Sequence, residues 1–208
     1  MLGIHPKKYW RRVKEAYQIY CFKRQATACG VIVKIGEGVR LKGCRISSEL
    51  LASDTLSQGR RSFLEIGDYC NLKYATFHFR RTNNTIAIGD GTEINAHGKG
   101  RETCFYVGEN TKIVVGANCL FSNSIILSTT DFHSIYSATE EKINKDKDIF
   151  VGKHVWIGWR ASICKGVEIG ENAVVGACSV VAKTFAQGNC VIVGNPAMVR
   201  KENIKWEQ

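Results

Sequence analysis

Five histidines, His5, His78, His97, His133 and His154, are the side chains of this sequence best suited to moving a proton near neutral pH. One of them, His133, stands in a long polar run, STTDFHSIYSATEEKINKDKDIF, two residues after Asp131 and three before Tyr136. A histidine so placed can take the proton of a hydroxyl as that hydroxyl attacks an electrophile, and a carboxylate beside it can hold the tautomer and stabilise the imidazolium. Asp131 can equally bind a substrate hydroxyl or cap a turn. His78 and His97 are 19 residues apart and His133 and His154 are 21 apart, without the close pair that a zinc site uses, so no metal is expected. The nine cysteines are scattered with no C-x-x-C, as reduced thiols filling small apolar gaps would be.

A regular frame lies on either side of that polar run. Val151, Ile157, Ile163, Ile169, Val175, Val181 and Val193 recur at intervals of six, with only Gln187 out of type. Neither a helix nor a hairpin needs that period, but a flat three-sided coil does, with one aliphatic side chain per side pointing into a shared core. Four residues after each aliphatic position come the small core partners Val155, Ala161, Val167, Ala173 and Ser179, with Phe185 and Val191 as exceptions. The residue after it is Gly at 152, 158, 170, 176 and 194, where a corner or a positive φ is expected. Earlier hexads start at Ile35, Ile66, Ile88 and Val115 and are separated by polar breaks such as RRTNN and AHGKGRET. The spacing predicts an all-β parallel β-helix of about seven or eight coils, about 35 Å long. Loops, the longest at 128–150, leave the stack where the count fails.

Composition sets the remaining bounds. The chain has 208 residues, 44% apolar and 23% charged, and carries a net charge of +10. That suits one domain with an added element. No apolar run reaches membrane-spanning length and no secretory signal opens the chain, so a cytoplasmic location is expected. Residues 1–24 hold seven basic side chains against Glu15 alone, and Tyr9, Val13, Tyr17, Tyr20 and Phe22 fall broadly on one side of a helix. This predicts a basic N-terminal helical segment over 1–28, the β-helix over 29–200 and a tail over 201–208. The helix reads first as a cap on the stack; association with an anionic membrane surface is the alternative. No nucleic-acid motif accompanies the charge.

The motifs VGKHVWIG, ICKGVEIGENAVVGACSVVAK and VGNPAMV resemble those of the hexapeptide-repeat acyltransferases, over most of residues 88–200. The resemblance implies a left-handed coil, which the spacing alone would not give. It also implies a homotrimer with sites between subunits and transfer of an acetyl group from acetyl-CoA to a hydroxyl. His133, in a loop before Val155-Trp156-Ile157-Gly158, then matches the catalytic base of the sugar acetyltransferases, with the Trp156 carbonyl or Asp131 holding its second nitrogen. His133-Ser134 replaces the His-Pro dipeptide of the galactoside and maltose enzymes and looks more like enzymes of surface polysaccharides. Asn95 matches a substrate-contacting asparagine, and Tyr136 joins it as a candidate for the acceptor. The coenzyme positions fall on Gly158, Trp159, Gly176, Ala177, Ala182, Lys183, Arg200 and Lys201, although Trp159 and Met198 depart from the family's usual residues. The expected function is O-acetylation of a capsule or O-antigen sugar, or of its precursor, in the cytoplasm or at the inner membrane surface. A small-molecule acetyltransferase for serine, a simple sugar or a streptogramin-type antibiotic is the alternative. A non-catalytic β-helix is disfavoured by the His133 loop and the lack of a threonine ladder.

Overall fold

A computed structural model describes residues 6–49 and 61–208; His5 and the rest of residues 1–5 and 50–60 lie outside the described residues. The chain winds as a three-sided prism, each coil adding one parallel strand to each face. The first face stacks Val31–Ile35, Ser62–Ile66, Thr85–Ile88, Lys112–Val115, Ile149–Val151 and Glu168–Ile169. The second runs from Arg40–Lys42 through Asn71–Lys73, Glu93–Asn95, Leu120–Phe121, Trp156–Ile157 and Val174–Val175 to Cys190–Gly194, and ends with antiparallel Ala197–Glu202. The third stacks Arg45–Ser48, Ala75–Phe79, Thr103–Val107, Ile126–Ser128, Ser162–Ile163 and Val180–Val181.

The six-residue period has the physical cause the spacing predicts. Val151, Ile157, Ile163, Ile169, Val175 and Val181 are all buried, as are Val155, Ala161, Val167, Ala173 and Ser179. Stacked partners lie 18 residues apart, as in Val151 beside Ile169 and Ile163 beside Val181. Lower in the prism the core widens to aromatic rings, with Phe77 stacked on Phe105 at 5.2 Å and Phe105 on Phe121 at 6.1 Å.

Two local expectations are corrected. The last coil is shorter than the others: Phe185, 16 residues after Ile169, bridges to it, and Ile192 rather than Val193 fills the core. A four-residue step from Val181 to Phe185 absorbs the irregularity that Gln187 marks in the sequence. Of the glycines after the aliphatic positions, Gly194 has the expected positive φ, 109°, but Gly152, Gly158, Gly170 and Gly176 do not turn the corners. At Gly158 an added Cβ would lie 2.8 Å from the Ala177 nitrogen, so the residue is small because successive coils touch there. The corners turn two residues later, where His154, Arg160, Gly166, Asn172 and Cys178 have φ between 53 and 76°.

The helix Pro6–Ala28 closes one end of the stack and packs against the first strand of all three faces. Phe22 and Ala26 are buried and Ile19 packs beside them, Phe22 meeting Phe77 edge-on at 6.1 Å. Gln25 Oε1 accepts from the Ile46 amide at 3.1 Å. Of the side expected to be apolar, only Phe22 is buried; Val13, Tyr17 and Tyr20 are exposed, and the Tyr9 side chain lies outside the described ones. The helix thus carries two apolar stripes, and the narrow end of the prism covers one. Among the described residues no helix is long and apolar enough to cross a membrane.

Candidate active site

The excursion leaves the third face after Ser128 and returns to the first at Ile149, closed at its neck by the Lys147 amide donating to the Thr129 carbonyl at 3.0 Å. Within it Asn144 ties the two limbs together. Its Nδ2 donates to the His133 carbonyl at 2.8 Å and to Asp131 Oδ2 at 3.0 Å, and its Oδ1 accepts from the Ile135 amide at 2.7 Å. Lys165, from the coil above, places its ammonium against the Asp131 carboxylate and donates to the Asn144 carbonyl at 3.0 Å. Partial desolvation of Asp131 opposes its ionisation. The hydrogen bonds from Lys165 and Asn144, with the charges of Lys165 and Lys142, outweigh this and hold its carboxyl below the usual range.

The near side of the loop rests on an aromatic column rising along the third face. Ser47 Oγ lies 2.6 Å from His78 Nδ1, His78 stacks on Tyr106 at 4.3 Å, and Tyr106 meets Phe132 edge-on at 5.1 Å. The Arg80 guanidinium covers the Phe132 ring at 4.9 Å while pairing with Glu49 at 2.7 Å. Burial lowers the pKa of His78, which serves this column and not the loop surface. His133 follows Phe132 directly and is exposed beside Arg80, Arg81, Lys142 and Asp146. Among the described residues no hydrogen bond reaches its imidazole, and the Asp131 carboxylate is engaged by Asn144 and Lys165.

The other predicted site residues sort onto two edges of the prism. Asn95, Gly158 and Gly176 each follow a core residue of the second face, Ile94, Ile157 and Val175, which stack in register through Phe121. They therefore form one column at the edge between the second and third faces, with Trp159 and Ala177 next along the chain. Asn95 Oδ1 accepts from Lys73 Nζ at 2.9 Å, and the Arg160 guanidinium lies 4.5 Å over the Trp159 ring. Trp156 projects partly exposed from the second face. Ala182 and Lys183 lie instead at the edge between the third and first faces, above Lys165 and the loop, with Lys183 Nζ 5.4 Å from the Phe185 ring. Arg200 and Lys201 belong to the antiparallel strand that ends the second face. Tyr136 is exposed on the loop and bridges to Lys142.

Within one chain, then, His133 and Trp156 stand on different sides of the prism. Sequence reasoning missed Asn144, Lys165 and Arg80, because nothing in their local spacing distinguishes them from solvated loop and coil residues. It also missed Trp206, whose Nε1 donates to the His154 carbonyl at 3.1 Å and whose ring stacks on the His154 imidazole at 4.1 Å and lies 6.1 Å from Trp156.

The sequence signature described as "Bacterial transferase hexapeptide (six repeats)" matches residues 148–183. A polysialic acid O-acetyltransferase of Neisseria meningitidis is 35% identical over 167 residues, covering 71% of this chain and 76% of that protein. The chain belongs to the hexapeptide-repeat acyltransferases. It is an acyltransferase built on the left-handed β-helix of that family. The acyltransferase superposes on the crystallographically analysed polysialic acid O-acetyltransferase OatWY with a TM-score of 0.70 and 31% identity, over 85% of this chain and 76% of that one. A variant of AntD, an N-acyltransferase from Bacillus cereus in complex with a dTDP-sugar and coenzyme A, shares the fold of the acyltransferase. Its TM-score is 0.62 at 21% identity, over 89% of each chain.

Proposed function

We propose that this acyltransferase moves an acetyl group from acetyl-CoA to a sugar hydroxyl of a surface polysaccharide, or of its precursor, with His133 as general base. The observation that carries the reading is the likeness to the polysialic acid O-acetyltransferase of Neisseria meningitidis over 76% of its length, joined to an exposed histidine on a braced loop. In the reaction the His133 imidazole takes the hydroxyl proton while that oxygen attacks the thioester carbonyl carbon. The tetrahedral intermediate collapses by breaking the carbon–sulfur bond, and the imidazolium returns its proton to the departing thiolate. Backbone N–H groups of the tight coil, or Asn95, stabilise the oxyanion.

A threefold assembly completes this site. The outward positions of the upper third face are small or apolar, Cys104, Ile126, Ser162, Cys164, Val180 and Ala182, whereas the first face mixes Lys34, Glu65, Lys112 and Glu168 with exposed Ile32, Phe63 and Phe150. Turning the third face inward sets the His133 edge of one subunit against the edge of its neighbour that bears Asn95, Trp156 and Gly158. The Trp156 carbonyl of that neighbour then accepts from the second nitrogen of His133 and fixes its tautomer. The acetyl-CoA arm runs along Gly158, Trp159, Gly176 and Ala177, and Lys183, Arg200 and Lys201 meet its phosphates. Coenzyme A in the AntD complex supports this choice of donor.

The test is acetyl-CoA turnover against a panel of acidic and neutral glycans, their monosaccharides and small-molecule acceptors, with His133→Ala as control. Transfer to a polysaccharide that vanishes in the variant supports the reading; unchanged transfer by the variant sinks the mechanism.

A further inference from the structure

The stripe on the far half of the helix Pro6–Ala28 has no counterpart in the transfer reaction. Trp10, Val13, Tyr17 and Tyr20 recur at alternating intervals of three and four, which places them along one line of a helix. They are 68, 43, 65 and 57% exposed. At about 100° per residue this line lies across the helix from Ile19, Phe22 and Ala26, the residues seated on the stack. Because the helix crosses the end of the prism and touches all three faces, the far stripe points out along the prism axis. Subunits packed side by side leave it uncovered.

Charge selects the partner. From Trp10 to Ala28 the helix carries Arg11, Arg12, Lys14, Lys23 and Arg24 against Glu15, and Glu15 is already paired with Arg11 at 3.6 Å. Arg24 occupies the next position of the same line and lies 6.0 Å from the Tyr20 ring. A second copy of the helix laid parallel along this line would bring Arg24 against Arg24, and in either direction the pair would lack the aliphatic residues of a stable helix seam. Tryptophan and tyrosine flanked by lysine and arginine fit the headgroup region of a bilayer, where a polar ring edge stays wet and the basic groups meet anionic lipid. We infer that this end of the prism docks on an anionic lipid surface through the outer stripe of the helix. The inference is independent of the acceptor and of His133.

The experiment is co-sedimentation of the full chain with vesicles of phosphatidylcholine alone or mixed with phosphatidylglycerol, at low and high salt. Capture by the anionic vesicles at least tenfold above the neutral ones, and lost in high salt, is expected. The triple variant Val13→Ser, Tyr17→Ser, Tyr20→Ser and the charge variant Lys23→Glu, Arg24→Glu should each lower capture about tenfold or more, with circular dichroism and native mass unchanged. Equal partition of wild type and the charge variant overturns the proposal. So does absence of capture, whether or not the triple variant changes the native mass; a changed mass would assign the stripe to contacts between copies.

Discussion

Asn144 Nδ2 donates to the carbonyl oxygen of His133 at 2.8 Å, so the backbone of the proposed base is held by a residue eleven positions away. The same amide group reaches Asp131 and Ile135, and Lys165 locks the arrangement from the coil above. The loop is long in sequence but braced at its centre. A histidine on a mobile loop would spend most of its time away from the acceptor, and a braced one does not.

Replacing that centre should loosen the loop without disturbing the stack. Asn144→Ala removes three hydrogen bonds from exposed or half-exposed groups that water can re-solvate, so a cost of about 1–2 kcal/mol to loop order is expected. Lys165→Met should act alike, and each should lower transfer roughly tenfold at a melting temperature close to wild type. Limited proteolysis within residues 131–145 reports the loop directly; unaltered cleavage in both variants would show that the brace is not needed.

Acid should release the same contact. The folded Asp131 carboxyl titrates below its unfolded value, so its contribution is complete above the ordinary carboxylate pKa of about 3.9 and is lost as pH falls through the lower folded value. Hydrogen exchange of the loop amides should be flat in its opening equilibrium from neutrality to about pH 4 and rise below that. Asp131→Asn should show the loosened loop at every pH. Loosening already at pH 6 would mean that another group governs it.

The contact between coils makes a sharper demand than the corners do. Gly158→Ala drives a Cβ into the backbone of Ala177 and should destabilise by about 1–3 kcal/mol, because two main chains must separate. Cys178→Asn, at a corner with φ of 59°, should be neutral or slightly stabilising, since Asn tolerates that conformation better than most residues. Denaturant midpoints of the two variants decide between contact and corner as the source of the glycine pattern.

Lys183 and Lys165 occupy the same column one coil apart, but only Lys165 is engaged with a carboxylate. Lys183→Ala should therefore weaken coenzyme A binding by about 1 kcal/mol, roughly fivefold, and more at low salt than at high. Calorimetry with coenzyme A reads this, and an affinity that does not move would shift the phosphate site onto Arg200 and Lys201.

The frame was legible because its cause is periodic. Burial of Ile157 and Ile163 is the same event repeated, and six-residue spacing records it without regard to distant contacts. The motif around Trp156 nominates His133 as the base, and the structure adds that it is exposed on the loop. Lys165 and Asn144 were not legible, because they meet Asp131 only when residues 34 and 13 positions away are stacked or folded over it. The shortened last coil escaped for a related reason: Phe185 was an anomaly in a count that had in fact moved. In the N-terminal helix two apolar stripes overlap in sequence, and only the width of the prism end chooses which is covered.

Parallel coils present the same unpaired amides and carbonyls at both ends of the stack, so a bare prism would be a template for adding another prism end to end. The N-terminal helix obstructs one such addition. At the other end Ala197–Glu202 runs antiparallel to Cys190–Gly194, a direction in which no further coil can continue the winding. The reversal closes the second face at the end that the helix leaves open: a chain cut before Ala197 still has its helix-capped end, so it is expected to pair tail to tail with a second copy, and the short strand that looks like an afterthought guards a repeating fold against that pairing.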